Sequence, residues 1–216
     1  MIKPADIFIG LRDVFGFVIP GIIFCVVVLL FAPDFQGLAS KASAAGLGTV
    51  SLIGVAYCFG HVFNAIGALV LDWVYDGVQP LLSRRKRFEN MEKFGLATDP
   101  IKAQILQRHN LPVDLAGAFT RISFWMDYLR LTSPIAAAEI ERVESIEKFL
   151  RSLCVAAMFA APVVALPYEG ASSLEALAGA VVAAVASFAL FVKFRLERCY
   201  RVLKLALLTT QITAPK

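Results

Sequence analysis

Catalytic equipment is what this chain has least of. Its 216 residues include two histidines and four cysteines, and no G-x-S-x-G, H-E-x-x-H, P-loop or G-x-G-x-x-G run. The common nucleophile, zinc-protease and nucleotide-binding chemistries therefore have no motif to stand on. Cys25, Cys58, Cys154 and Cys199 are scattered. No two show metal-ligand spacing, and none falls where an oxidising compartment would pair it. The sequence implies no metal, no cofactor and no catalytic residue, and it reads as a non-enzyme. An intramembrane enzyme would have to use His61 and Asp72, which lie about 16 Å apart along one helix.

Charge is also missing, from four long stretches. Val14–Pro33 lies between Asp13 and Asp34, and Ala42–Leu71 holds no formal charge unless His61 is protonated. Ser152–Tyr168 and Ala176–Val192 are uncharged runs of 17 residues each. A helix needs about 20 apolar residues to cross the hydrocarbon, with about 17 near the lower limit. It also keeps every backbone polar group bonded within itself, as lipid requires. A hydrophobic share of 58% and a mean hydropathy of +0.71 are too apolar for a soluble chain of this size. The expected class is all-α and integral to the membrane: four transmembrane helices with a helical cytoplasmic insert between the second and third. A cleavable signal peptide ending at Ala42-Ser43-Ala44 is the competing reading of the first stretch. That apolar run is too long for one, and the site lies well past its end.

The basic residues between these stretches favour one side. Of 21 Lys and Arg, only Lys41 falls in a segment assigned outside. Arg84, Arg85, Lys86 and Arg87 follow the second span, and Lys148 and Arg151 abut the third. The positive-inside rule then places both termini and the central connector in the cytoplasm, which for a bacterial chain means a multi-pass protein of the inner membrane. The implied divisions are 1–76 for the first two helices, 77–133 for the insert, 134–192 for the last two and 193–216 for a cytoplasmic amphipathic tail.

Within the insert, Asp99-Pro100 reads as an N-cap and first helical position opening Ile101–His109. Asp114 caps a second helix carrying Leu115, Phe119, Ile122, Met126 and Leu129 on one face. Ser133-Pro134 opens a third, with Ala136, Ile140, Val143 and Leu150 on its apolar stripe. The alternate face of this helix carries Glu139–Arg142, Glu144–Lys148 and Glu147–Arg151 pairs on what reads as a solvated surface. No break separates it from the third span, so one long rod is expected. The tail continues an apolar stripe through Leu196, Cys199, Tyr200, Leu203 and Leu207. Pro20-Gly21 marks a kink in the first span.

Three groups of residues are candidates for function. On a helical wheel of the second span, Gly54, Tyr57, His61, Asn64, Ala68, Asp72 and Tyr75 share a face opposite Leu52, Val55, Phe59, Val62, Ile66, Leu69 and Trp73. From Tyr57 to Asp72 the polar stripe runs about 22 Å. Polar groups are costly against lipid, so the stripe faces protein or water. Two readings satisfy it: static hydrogen-bonded glue between helices, or the lining of a pore. The cluster Arg84, Arg85, Lys86 and Arg87 suits anionic lipid headgroups or a phosphate-rich ligand such as a nucleotide. With Phe88 its only aromatic neighbour, it carries no sequence-specific nucleic-acid motif. In the fourth span, Ala176, Ala180 and Ala184 recur every fourth residue, as do Gly179, Ala183 and Ser187; such ridges let helix backbones approach closely.

The arrangement resembles the small multi-span membrane effectors of bacterial anti-phage defence, such as the membrane components of Hailong or Kiwa systems. Three segments carry the likeness: FGFVIPGIIFCVVVLLFAP, the striped YCFGHVFNAIGALVLDWVYD, and SPIAAAEIERVESIEKFLRSL running into the third span. It implies a homo-oligomer held closed until a cytoplasmic signal opens it as a gated pore or membrane-disrupting effector. The alternative is a non-conducting scaffold that recruits a cytoplasmic protein partner through the insert. Implied partners in either case are membrane lipids and further copies of the chain.

Overall fold

The computed structural model describes residues 14–32, 35–37, 40–41, 48–82, 86–108, 121–165 and 173–213, and the described residues are helical without strands. A π-helical turn, Val14–Val18, leads into α1, Ile19–Phe31. Then follow α2 (Gly48–Leu82), α3 (Lys86–Arg108), α4 (Arg121–Thr132), α5 (Pro134–Ala165) and α6 (Ser173–Thr213). Three helices are long and apolar enough to cross a membrane, over Gly48–Val78, Pro134–Ala165 and Leu174–Thr210; the apolar helix Gly16–Phe31 is shorter.

The chain divides into two compact units. The first comprises Met1–Tyr75 with Ser145–Val192, and the second Asp76–Glu144 with Lys193–Lys216. Helices α2, α5 and α6 each contribute residues to both units, with most of the charged residues of α5 and α6 in the second.

In the first unit, α2 buries Ala56, Gly60, Phe63, Gly67, Leu71 and Tyr75. These recur at spacings of three and four, the period of one helical face. Small residues dominate one end of that face, and α1 exploits it. A Cβ on Gly21 would collide with the Ala56 backbone, and one on Gly60 with the Phe17 backbone. Close approach of this kind replaces the hydrophobic effect, which does not drive helix association in lipid. Phe24 meets Phe63 edge-on at 5.0 Å and Phe59 at a tilt at 5.1 Å between centroids. Pro20 sits in the first turn of α1, where its absent N–H costs nothing, and the expected irregularity takes the form of the π turn before it.

The second unit has a separate core of Trp125, Leu129, Ile140, Val202, Leu203 and Ala206. Phe94, Ile101 and Ile105 of α3 pack against it, and Phe94 meets Tyr200 at 5.4 Å. The tail stripe thus does its packing here through Leu203 and Tyr200. Arg201 donates to Glu139 at 2.5 Å and to Glu197 at 2.9 Å, and Arg130 donates to Asp127 and Glu141 at 2.9 and 3.3 Å.

Several local expectations change. Helix α3 does not begin at Asp99-Pro100 but runs through it, with Pro100 inside. Residues 94, 98, 101 and 105 keep one unbroken helical period across the proline. Thr98 is fully buried, its hydroxyl bonded to the Gly95 carbonyl at 2.9 Å, so packing on both sides outweighs the local breaker. Ser133-Pro134 does open α5: the Ser133 N–H closes α4 on the Leu129 carbonyl, and its own carbonyl takes the Ala137 N–H. The long rod is present as the 32 residues of α5. Its acidic residues are not a solvated face throughout, since Glu147 is buried and Glu139 reaches across to Arg201. Asp114, Leu115, Phe119 and His109 lie outside the described residues.

Candidate functional site: the polar face of α2

The structure divides the stripe on α2 in two. Tyr57 and His61 are exposed on the surface of the first unit. His61 stacks flat on Phe17 with centroids 4.0 Å apart and meets the edge of Tyr57 at 4.4 Å. These contacts order the imidazole while leaving the face open.

Asn64 and Asp72 are half-buried, and one cation engages both. The Arg151 guanidinium of α5 donates to Asn64 Oδ1 through Nη2 at 2.6 Å and through Nε at 3.2 Å. Its Nη1 lies 3.6 Å from Asp72 Oδ1, an ion pair beyond hydrogen-bonding length. Arg151 is only 8% exposed. A buried cation of this kind is tolerable only when it is paired and hydrogen-bonded. Gly67 makes the arrangement possible. A Cβ there would stand 2.5 Å from Arg151 Cγ and 3.2 Å from Cδ, so the missing side chain leaves a notch for the arginine stem.

Tyr75 leaves the stripe altogether, buried against Phe191 in an edge contact at 6.4 Å. Gly54 opens onto the surface with nothing within 4 Å of its missing Cβ. The buried face of α2 therefore lies between the polar and apolar sides of the wheel, small at Ala56, Gly60 and Gly67 and large at Phe63, Leu71 and Tyr75. The exposed side includes Val55, Phe59, Val62, Leu69 and Trp73, as the apolar half of the wheel requires.

The alanine ridge of α6 is half-buried at Ala176, Ala180 and Ala184. Ala180 and Ala184 border an open apolar groove of about 450 Å³, with Cys154, Ala157, Met158 and Ala161 of α5 across from them. Cys154 Sγ donates to the Ala184 carbonyl at 3.4 Å. The parallel ridge of Gly179 and Ala183 is exposed, and Ser187 is buried. Among the described residues, this part of α6 meets α5 along the Ala180–Ala184 edge, where the groove leaves space beside the Cys154 contact.

Of the basic cluster, Arg84 and Arg85 lie outside the described residues. Lys86 and Arg87 belong to the first turn of α3, with side chains outside the described set. Farther along that turn, the hydrogen bond from Lys93 holds the Glu89 carboxyl below its ordinary range. Among the described residues no group of three His, Cys, Asp or Glu could hold a metal.

The sequence reading did not single out Arg151 and Gly67. Both carried a signal. Arg151 stands one residue before the uncharged run Ser152–Tyr168, where a cation at the edge of an apolar span demands a partner. Gly67 and the Ala56-x3-Gly60 pair were visible as small residues at helical spacing, but the polar stripe beside them dominated the wheel.

Compared with known protein families, with curated proteins and with solved structures, the chain finds no match in any of the three.

Proposed function

We propose that this chain is a homo-oligomeric membrane effector: a gated pore or membrane-disrupting protein with four spans, both termini in the cytoplasm, and a cytoplasmic unit that receives the opening signal. Its setting would be the anti-phage defence that the sequence resemblance implies, in a bacterial inner membrane. The observation that carries the reading is the open face at Tyr57 and His61. These polar aromatics lie within a helix apolar enough to cross a bilayer, yet both remain exposed among the described residues. Polar groups at that depth belong against water or another protein surface. Either requirement is met by assembly of several copies around the α2 face. The sharing of α2, α5 and α6 between two units also supports gating, because a signal received by the charged unit acts on the same helices that cross the membrane.

A second reading, a non-conducting scaffold, draws on the other half of the stripe. Asn64 and Asp72 are engaged by Arg151, as glue between helices requires. Expression in bacteria loaded with a membrane-potential dye separates the two. The effector collapses the potential when activated or overproduced, and His61→Ala changes the extent of collapse at equal protein level. An intact potential at high expression of assembled protein would leave the scaffold.

A further inference from the structure

We propose that Arg151 is a latch: its guanidinium, seated on Asn64 and Asp72 across the Gly67 notch, holds α5 against α2, and its withdrawal lets the two helices part. The geometry stands independently of conduction; the consequence for gating rests on the effector reading above.

The physical case starts from where the arginine sits. Val155, one turn further along α5, is buried at 2% exposure and contributes the third neighbour of the Gly67 notch, 3.4 Å from the position of a Cβ there. One cation thus meets α2 at Asn64, Gly67 and Asp72, over two helical turns. The partners differ in strength. Asn64 accepts two bonds, at 2.6 and 3.2 Å, whereas the carboxylate of Asp72 stands off at 3.6 Å with its side chain 31% exposed. A guanidinium has only two affordable positions near an apolar span: paired within the protein, or extended to water and headgroups at the end of the helix. Positions between these are unfavourable, which makes the contact two-state rather than gradual. A purely apolar helix contact of the same area would lack this discrimination between seated and withdrawn.

Two readouts test it in the full-length chain, in membranes. In a background carrying Cys25→Ala, Cys58→Ala, Cys154→Ala and Cys199→Ala, a Val155→Cys reporter is alkylated with N-ethylmaleimide. Arg151→Ala raises the alkylation rate about tenfold or more, the range set by loss of charged hydrogen bonds. Arg151→Lys, which keeps the charge but not the fork, falls between it and the parent. The second readout is the membrane potential. In the Arg151→Ala chain carrying Gly67→Cys and Val155→Cys, oxidation ties α2 to α5 in place of the arginine and lowers the leak; dithiothreitol restores it. Faster alkylation without any leak upholds the latch while removing the pore reading. Alkylation in Arg151→Ala no faster than in the parent overturns the latch. So does loss of the Arg151→Ala protein from the membrane together with parental alkylation in Arg151→Lys, because the arginine is then a fixed strut.

Discussion

Gly60 of α2 lies directly on the backbone of Phe17, and no Cβ fits between them. Gly21 repeats the relationship on the backbone of Ala56, so α1 and α2 meet through two glycines, one from each helix. This crossing also brings Phe17 to the ring of His61.

Gly60→Ala and Gly21→Ala should therefore destabilise the first unit by about 1–3 kcal/mol, the usual range for overpacking. Gly54→Ala and Gly179→Ala meet nothing within 4 Å and should be neutral or stabilising by up to about 1 kcal/mol, through helix propensity. Thermal unfolding in detergent compares the two pairs. A Gly60→Ala protein as stable as Gly54→Ala would show that the crossing is looser than described.

The divided stripe predicts divided phenotypes. His61→Ala removes an exposed ring and should leave assembled protein at near-normal levels. Asn64→Ala removes the acceptor of two Arg151 hydrogen bonds and should lower stability by about 1–3 kcal/mol. Cysteines at 57 and 61 should react with a membrane-impermeant thiol reagent in the activated state, and cysteines at 63 and 67 should not. Equal loss of protein in the two alanine variants would join the halves of the stripe again.

In the second unit, Leu129→Ala empties a fully buried site and should cost about 2–5 kcal/mol. Arg201→Ala breaks two ion pairs at a side chain 37% exposed, and exposed pairs contribute about 1 kcal/mol or less. Hydrogen exchange of α3 and α4 amides reads both. The Arg201 effect should shrink further in high salt, and the Leu129 effect should not. A larger loss from Arg201→Ala would mean that the ion pairs, and not the core, hold this unit.

Reporter fusions test the membrane topology. Fusions after Lys216 and within 109–112 should behave as cytoplasmic, and one at 170–173 as external. A periplasmic signal from the C-terminal fusion would invert the orientation argued from the basic residues.

Much of the helical framework was legible in the residue order. Ser133-Pro134 marks the start of α5, because a proline at the first helical turn loses no bond. The uncharged runs mark where three helices can cross a bilayer, because the hydrocarbon admits only segments that satisfy their own backbone. Local rules failed where distant packing was stronger. Pro100 reads as a boundary, yet Phe94 before it and Ile101 and Ile105 after it pack against the core cluster that contains Trp125 and Leu203, and the helix continues. The ion pairs illustrate the same limit. Glu139 has a suitable partner three residues away on its own helix, and the fold brings it Arg201 from 62 residues away.

The amino-acid order alone determined which segments are apolar, which faces of α2 are polar, and that a helix carrying both must bury or hydrate the second. Those properties follow from composition at a fixed helical period. Which polar residues are engaged and which stay open was decided by the tertiary structure. Arg151 reaches Asn64 and Asp72 from 79 to 87 positions away, and only the packing of α5 against Gly67 brings it there. A helical wheel treats Tyr57, His61, Asn64 and Asp72 alike because it contains no neighbouring helix. The neighbour separates them, since a single guanidinium can reach two of the four and leaves the others exposed.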